Sequence, residues 1–211
     1  MAHRRPGALI VLEGPDRSGK STQAALLVRD LRSRGLSVVH TREPGGTGFA
    51  EAIRRILLDP RHKVQPLAEL LLYEAARAQH TQERLVPALK AGAVVVCERY
   101  TLATLVYQGE ARGLDIPMIR RLNAIATGGL KPDLTLVLDV PDREFHRRQS
   151  RRADRLELES RRFRRRVRKG YRRLAKTEPR TALIDADRSL EAVHEEIRER
   201  VLKSISKGRR R

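Results

Sequence analysis

A three-layer, doubly wound α/β domain, with a parallel sheet covered by helices on both faces, is the fold this sequence predicts. Short apolar runs alternate with helical stretches along the whole chain. Several of those runs are apolar on both faces, as a strand buried between two helical layers requires. The first run stops at a loop bracketed by two glycines, and that loop opens directly into a helix.

In chain order, the first strand is ALIVLE (8–13), apolar up to Glu13, and a helical stretch occupies 20–33. SVVHT (37–41) is the second strand, followed by helical stretches at 49–58 and 67–90. VVVCE (94–98) is the third strand, with helical segments at 101–109 and 116–127 behind it. LTLVLDV (134–140) precedes a long helical stretch, 142–175, and TALID (181–185) is the last strand. The terminal helix, 189–205, displays Leu190, Val193, Ile197, Val201 and Ile205 at spacings of four or close to it, behind Ser189 as a candidate N-cap. Each strand-to-strand crossover is expected to be right-handed. There is no internal repeat and no linker rich in Pro, Gly or Ser. Residues 1–211 are therefore expected to form one domain, ending in a basic tail at 203–211. The arginine-rich stretch around 147–156 breaks the apolar period and is expected to be the mobile excursion from it.

Composition narrows the class. The chain has 211 residues, enough for a full-sized core, and 40% hydrophobic content with only 3% aromatics, so Leu, Ile, Val and Ala must build that core. Lone Cys97 excludes a disulfide framework, and its place in VVVCERY reads as a buried, inert thiol. No apolar run approaches the roughly 18 residues of a membrane span, and ALIVL is too short for a signal segment, so a cytoplasmic protein is expected. The net charge of +19 leaves two classes open: a nucleic-acid binder, or an enzyme for anionic small molecules.

The loop Gly14-Pro15-Asp16-Arg17-Ser18-Gly19-Lys20-Ser21, followed by Thr22, fits G-x-x-x-x-G-K-S/T between a strand and a helix. Glycines let backbone amides curl round an anion, and the following helix aims its positive end at it. In such a loop the lysine reaches the β- and γ-phosphates of ATP and the Ser21 hydroxyl ligates Mg²⁺. Arg17 is placed to stabilise charge on the transferring phosphoryl group, as an arginine finger supplied in cis.

With Asp16-Arg17 in the loop, the chain resembles the thymidylate kinase family. The resemblance rests on LEGPDRSGKST (12–22), TREPGGTG (41–48), AIRRILLD (52–59), ELLLYEAARAQH (69–80), VVCERYTLATLVYQG (95–109) and ADRLELES (153–160). It also includes KPDLTLVLDV (131–140), RVRKGYRRLA (166–175) and LIDADRSLEAVHEEI (183–197). It implies the five-stranded parallel sheet of P-loop nucleoside monophosphate kinases, usually a homodimer, and transfer of a phosphoryl group from Mg-ATP to dTMP. It further implies that Arg99 binds the acceptor's phosphate, where a guanidinium fork suits a dianion, and that Arg54 assists. Tyr73 stands where the family stacks a phenylalanine on thymine. Arg77, four residues on and on the same helix face, matches the arginine that bonds the base. Thr104 and Gln108 correspond to polar base contacts, Tyr107 to a residue against the deoxyribose, and Glu43 and Asp16 to carboxylates near the sugar and the metal-bound phosphates. HRRQSRRADRLE (146–157) matches the lid, with Arg151, Arg152 and Arg155 as candidates to reach phosphate.

Three positions depart from the family pattern. Glu98 replaces an aspartate beside Arg99 and, with Ser21, is the candidate metal ligand; Ala103 replaces a serine and Ala76 an acid. These departures leave a re-specialised pyrimidine deoxynucleotide kinase as an alternative. A nucleic-acid-associated NTPase is the rival from another class. It has few aromatics for base stacking and leaves Tyr73, Arg77, Arg99 and Gln108 unexplained, so only weak, salt-sensitive affinity for nucleic acid is expected.

Overall fold

The computed structural model describes residues 7–148 and 154–208. Five strands, β1 (Ala8–Glu13), β2 (Val38–Arg42), β3 (Val94–Glu98), β4 (Leu134–Asp139) and β5 (Thr181–Asp185), form one sheet in the order β2-β3-β1-β4-β5. Every neighbouring pair is parallel, with Leu9 opposite Val95 and Ile10 opposite Leu134. Because side chains alternate across a strand, both faces are apolar. Ile10, Leu12, Val94, Val96, Leu136 and Leu138 pack under α1 (Lys20–Ser33) and α9 (Leu190–Gly208). Leu9, Val11, Val95 and Cys97 face the opposite layer with Leu85 and Tyr100. Burial pushes the Cys97 thiol well above its ordinary pKa, which leaves it a small apolar filler. Among the described residues, no helix is long and apolar enough to cross a membrane.

The outer layer also holds α2 (Gly48–Leu58), α3 (Pro66–His80), α4 (Val86–Lys90), α5 (Thr101–Thr104), α6 (Ile116–Thr127), α7 (Asp142–Arg147) and α8 (Arg161–Thr177). The expected helix over 67–90 is interrupted. Thr81–Leu85 widens into π turns, and the Val86 amide bonds the Thr81 carbonyl five residues back. Pro87 follows at once; without an N–H it cannot continue the ordinary ladder. The expected helix over 101–109 is likewise α only to Thr104, and Leu105–Ala111 forms wider turns that bury Tyr107 and Gln108 side by side. The expected helix over 142–175 is two helices, the second capped by Ser160, whose hydroxyl accepts from the Phe163 amide at 3.2 Å. In α9, Val193, Ile197, Val201 and Ile205 are buried as the stripe requires. Leu190 is 45% exposed, its carbonyl accepting from the Gln23 side chain at 3.0 Å.

Candidate active site

The carboxyl ends of β1 and β3 and the start of α1 open onto a cleft of about 890 Å³. Its walls bring together Asp16, Arg17, Ser18, Gly19, Lys20, Ser21 and Thr22 from the loop with Glu43, Arg54, Glu98 and Arg99 from elsewhere in the chain. Gly14 has φ 137°, and a Cβ there would sit 2.4 Å from the Leu138 carbonyl oxygen, so the loop can lie against β4 only with glycine at this position. Gly19 has φ 93° and launches α1. The Pro15 carbonyl accepts from the Ser18 amide at 3.3 Å, which closes the turn.

Lys20 is buried. Its Nζ donates to the carbonyls of Gly14 at 3.0 Å and Pro15 at 2.7 Å. Burial, and then the neighbouring Arg99 cation, pull its pKa down to about 7, against the attraction of Asp16, Glu13 and Glu98. Arg99 reaches the same point from β3: its Nη1 also donates to the Gly14 carbonyl, at 3.0 Å, and to the Tyr171 hydroxyl at 3.0 Å. Its Nη2 pairs with Asp16 and bonds the Tyr107 hydroxyl at 3.1 Å, and that hydroxyl donates to Asp16 at 2.9 Å. Against the penalty of burial, Arg99 and Lys20 hold the Asp16 carboxyl below its usual pKa. Both Arg17 and Arg99 are in the left-handed region, at φ 60° and 67°. Non-glycine residues occupy that region at a cost of about 1–2 kcal/mol, typically where function fixes the backbone.

Arg17 turns toward the base of the arginine-rich segment. It donates to the Phe145 carbonyl at 2.9 Å, pairs with Glu157 at 2.8 Å, and stands 4.2 Å over the Phe145 ring. Arg151 and Arg152 lie outside the described residues. Arg155 is apart from the cleft lining; it pairs with buried Glu69 at 2.6 Å and donates to the Leu57 carbonyl at 2.7 Å. Among the described residues of this segment, the arginines that line the cleft are Arg147 and Arg148, anchored on Glu144.

Behind the cleft lies a buried polar shelf that carries the expected base-side residues. Arg77, 1% exposed, donates to Glu43 at 2.8 Å, Glu74 at 2.8 Å, Asn123 at 2.7 Å, Thr104 at 3.2 Å and the Tyr100 carbonyl at 3.0 Å. Glu43 therefore joins shelf to cleft, and its other oxygen is 3.0 Å from His80. Gln108 donates to Glu69 at 2.7 Å, on the same carboxylate that receives Arg112 and Arg155. Tyr73 is half-buried at the junction of two apolar clusters, and Arg54 donates to the Pro44 carbonyl at 2.8 Å on the cleft wall. None of Tyr73, Arg77, Thr104, Tyr107 or Gln108 lines the cleft itself.

The Ser21 hydroxyl donates to Glu98, whose other carboxylate oxygen is 2.9 Å from His40 Nε2. Against burial, the bonds from His40 and Ser21 lower the Glu98 pKa, so it is ionised at neutral pH. A hydroxyl and an ionised carboxylate, adjacent and open to the cleft, are the hard oxygen donors that fit Mg²⁺ carried in by a nucleotide.

Sequence reasoning missed Glu69, Glu13, Asn123, Glu157 and Tyr171. Glu13 is fully buried, its pKa raised by that burial; it accepts from the Tyr100 and Ala103 amides and the Tyr171 hydroxyl, and so fixes the turn that carries Arg99. A carboxylate inside an apolar run, in ALIVLE and in AELLL, is the available signal for Glu13 and Glu69.

The family model for thymidylate kinase matches residues 12–197. A thymidylate kinase of Pelotomaculum thermopropionicum is 49% identical over 97% of this chain and 99% of its own length. One of Chromohalobacter salexigens is 52% identical over 91% of this chain and 93% of its own. The crystal structure of thymidylate kinase from Ehrlichia chaffeensis aligns with a TM-score of 0.77 and 32% identity, covering 93% of this chain and 99% of that one. The matched span runs from the glycine loop through the shelf to α9, and on that basis the chain belongs to the thymidylate kinase family.

Proposed function

We propose that this chain transfers the γ-phosphoryl group of Mg-ATP to dTMP, giving dTDP and ADP. The observation that carries the reading is the meeting of Lys20 and Arg99 on one atom. Both donate to the Gly14 carbonyl at 3.0 Å, so a cation from the donor's loop and one from the acceptor's strand share the point where two phosphates must approach. Neutralising that junction is the main service a protein renders in phosphoryl transfer.

The loop amides of Gly14–Thr22 and Lys20 hold the ATP phosphates, and Arg99, assisted by Arg54, takes the acceptor's phosphate. Arg17 supplies further positive charge once released from Glu157, with lid arginines at about 147–156 as its partners. Ser21 and Glu98 are the residues that would hold Mg²⁺, which bridges phosphate oxygens and withdraws their charge. Asp16 and Glu43 orient the sugar and the phosphates. Tyr107 stands against the deoxyribose and disfavours a 2′-hydroxyl. Tyr73, Arg77, Thr104 and Gln108 form the base side. Within the shelf Glu43, Glu74 and Asn123 fix the Arg77 side chain on that side.

The reading takes residues 1–211 as one cytoplasmic domain that pairs with a second copy. Exposed Phe49 and Ile56 on α2, and Leu67 and Leu71 on the adjacent α3, supply an apolar face for that pairing. A coupled ADP-release assay across dTMP, dUMP, dCMP, UMP and AMP tests the assignment. dTMP should lead. Equal rates on all five overturn the base side, and a maximum on another pyrimidine deoxynucleotide establishes the re-specialised alternative.

A further inference from the structure

The outer face of α8 carries a cationic stripe that phosphoryl transfer does not use. The helix is RRFRRRVRKGYRRLAKT, with no acidic residue over Arg161–Thr177. Its apolar side, Phe163, Val167, Tyr171 and Leu174, is buried in the core. The remaining face is exposed and is Arg or Lys almost throughout. Acids reach only its margins: Asp142 meets Arg161, Asp139 meets Arg168 and Arg172, and Glu110 meets Arg173. Arg162, Arg165, Lys169 and Lys176 have no carboxylate partner among the described residues.

Those four are not scattered. At about 100° per residue they fall within a band of roughly 60°, and from 162 to 176 the band runs about 21 Å along the helix axis. Four uncompensated cations on one rigid line repel one another in the absence of a counter-charge. Duplex nucleic acid presents one phosphate per about 3.4 Å of each strand, so a 21 Å stripe faces about six of them.

We infer that this face of α8 docks on the phosphate backbone of duplex nucleic acid, with no preference for sequence. Two features select that occupant. No apolar or aromatic side chain stands in the stripe, which removes both insertion into a bilayer and stacking on unpaired bases. The charge is linear and fixed on a packed helix, matching a regular polyanion better than an irregular acidic protein surface. The inference is independent of the substrate assigned to the cleft, because none of the four residues lines that cleft.

Fluorescence anisotropy of two labelled 20-base-pair DNA duplexes of unrelated sequence, titrated with the full chain, tests it. Both duplexes should bind alike. Neutralising about four phosphates predicts a loss of roughly a hundredfold in affinity between 50 and 200 mM NaCl. Replacing all four residues (Arg162→Gln, Arg165→Gln, Lys169→Gln and Lys176→Gln) should weaken binding at 50 mM NaCl at least tenfold and leave ADP release with dTMP unchanged. The half-variants Arg162→Gln/Lys169→Gln and Arg165→Gln/Lys176→Gln should each lose part of the affinity, and they carry the test if the fourfold variant folds poorly. A control spread over α1, α4 and α6, Arg29→Gln/Arg32→Gln/Lys90→Gln/Arg121→Gln, removes the same charge away from α8 and should retain most of the binding. The inference is overturned by no binding at 50 mM NaCl, by equal loss in the control, or by stronger binding to phosphatidylglycerol vesicles than to DNA.

Discussion

Lys20 should take up a proton when nucleotide binds. Buried beside Arg99, it has a pKa near 7 in the free protein. At pH 8 only about one Lys20 in eleven is then charged. A triphosphate against Nζ strongly favours the ammonium form and raises that pKa well above 8, so each binding event should draw about 0.9 proton from solution. The γ-phosphate of a magnesium complex is already deprotonated at this pH and contributes little. The sign is fixed by the direction of the shift: as pH rises above 7, a growing share of binding free energy goes into protonating Lys20 and affinity falls. From pH 7 to 8 the dissociation constant should increase about fivefold. Isothermal titration with magnesium AMP-PNP at pH 8, in buffers of different ionisation enthalpy, measures the uptake directly. Lys20→Arg, charged at every accessible pH, should bind without it. Uptake near zero in the unmodified chain, or affinity that improves from pH 7 to 8, refutes the reasoning.

Three substitutions probe other parts of the site. Arg99→Ala should lower kcat about 100- to 1000-fold while changing ATP affinity by calorimetry less than fivefold; parallel loss of both would make Arg99 a structural residue. Glu69→Gln leaves Arg112, Arg155 and Gln108 without their shared buried carboxylate. It should cost about 3 kcal/mol, seen as a fall of about 6–12 °C in Tm by circular dichroism, and a shift under 2 °C would remove the residue from that role. Glu157→Gln frees Arg17 from a partly exposed ion pair worth about 1 kcal/mol. Binding of magnesium AMP-PNP should tighten about fivefold, and weaker binding would mean that Glu157 supports the nucleotide site.

The fold was legible because strands buried on both faces read as unbroken apolar runs, and ALIVLE, VVVCE and LTLVLDV do so plainly. The glycine loop was legible because its spacing is dictated by an anion. The wide turns at Thr81–Leu85 and Leu105–Ala111 were not, since a π turn keeps helical composition and differs only in which carbonyl each amide reaches. Glu69 was hidden for another reason. Its meaning comes from Gln108, Arg112 and Arg155, which approach from 39 or more residues away, and no local pattern announces such a convergence. The same contact drew Arg155 away from the phosphates it was expected to reach.

Arg17 rests on Glu157 and the Phe145 ring rather than over the loop it belongs to. On the function proposed above, nucleotide settles on the loop amides while Arg17 is still held by Glu157, and its charge arrives afterwards. On that proposal capture and ignition are separate events, and water beside a lone ATP meets a site whose Arg17 is still tied to Glu157.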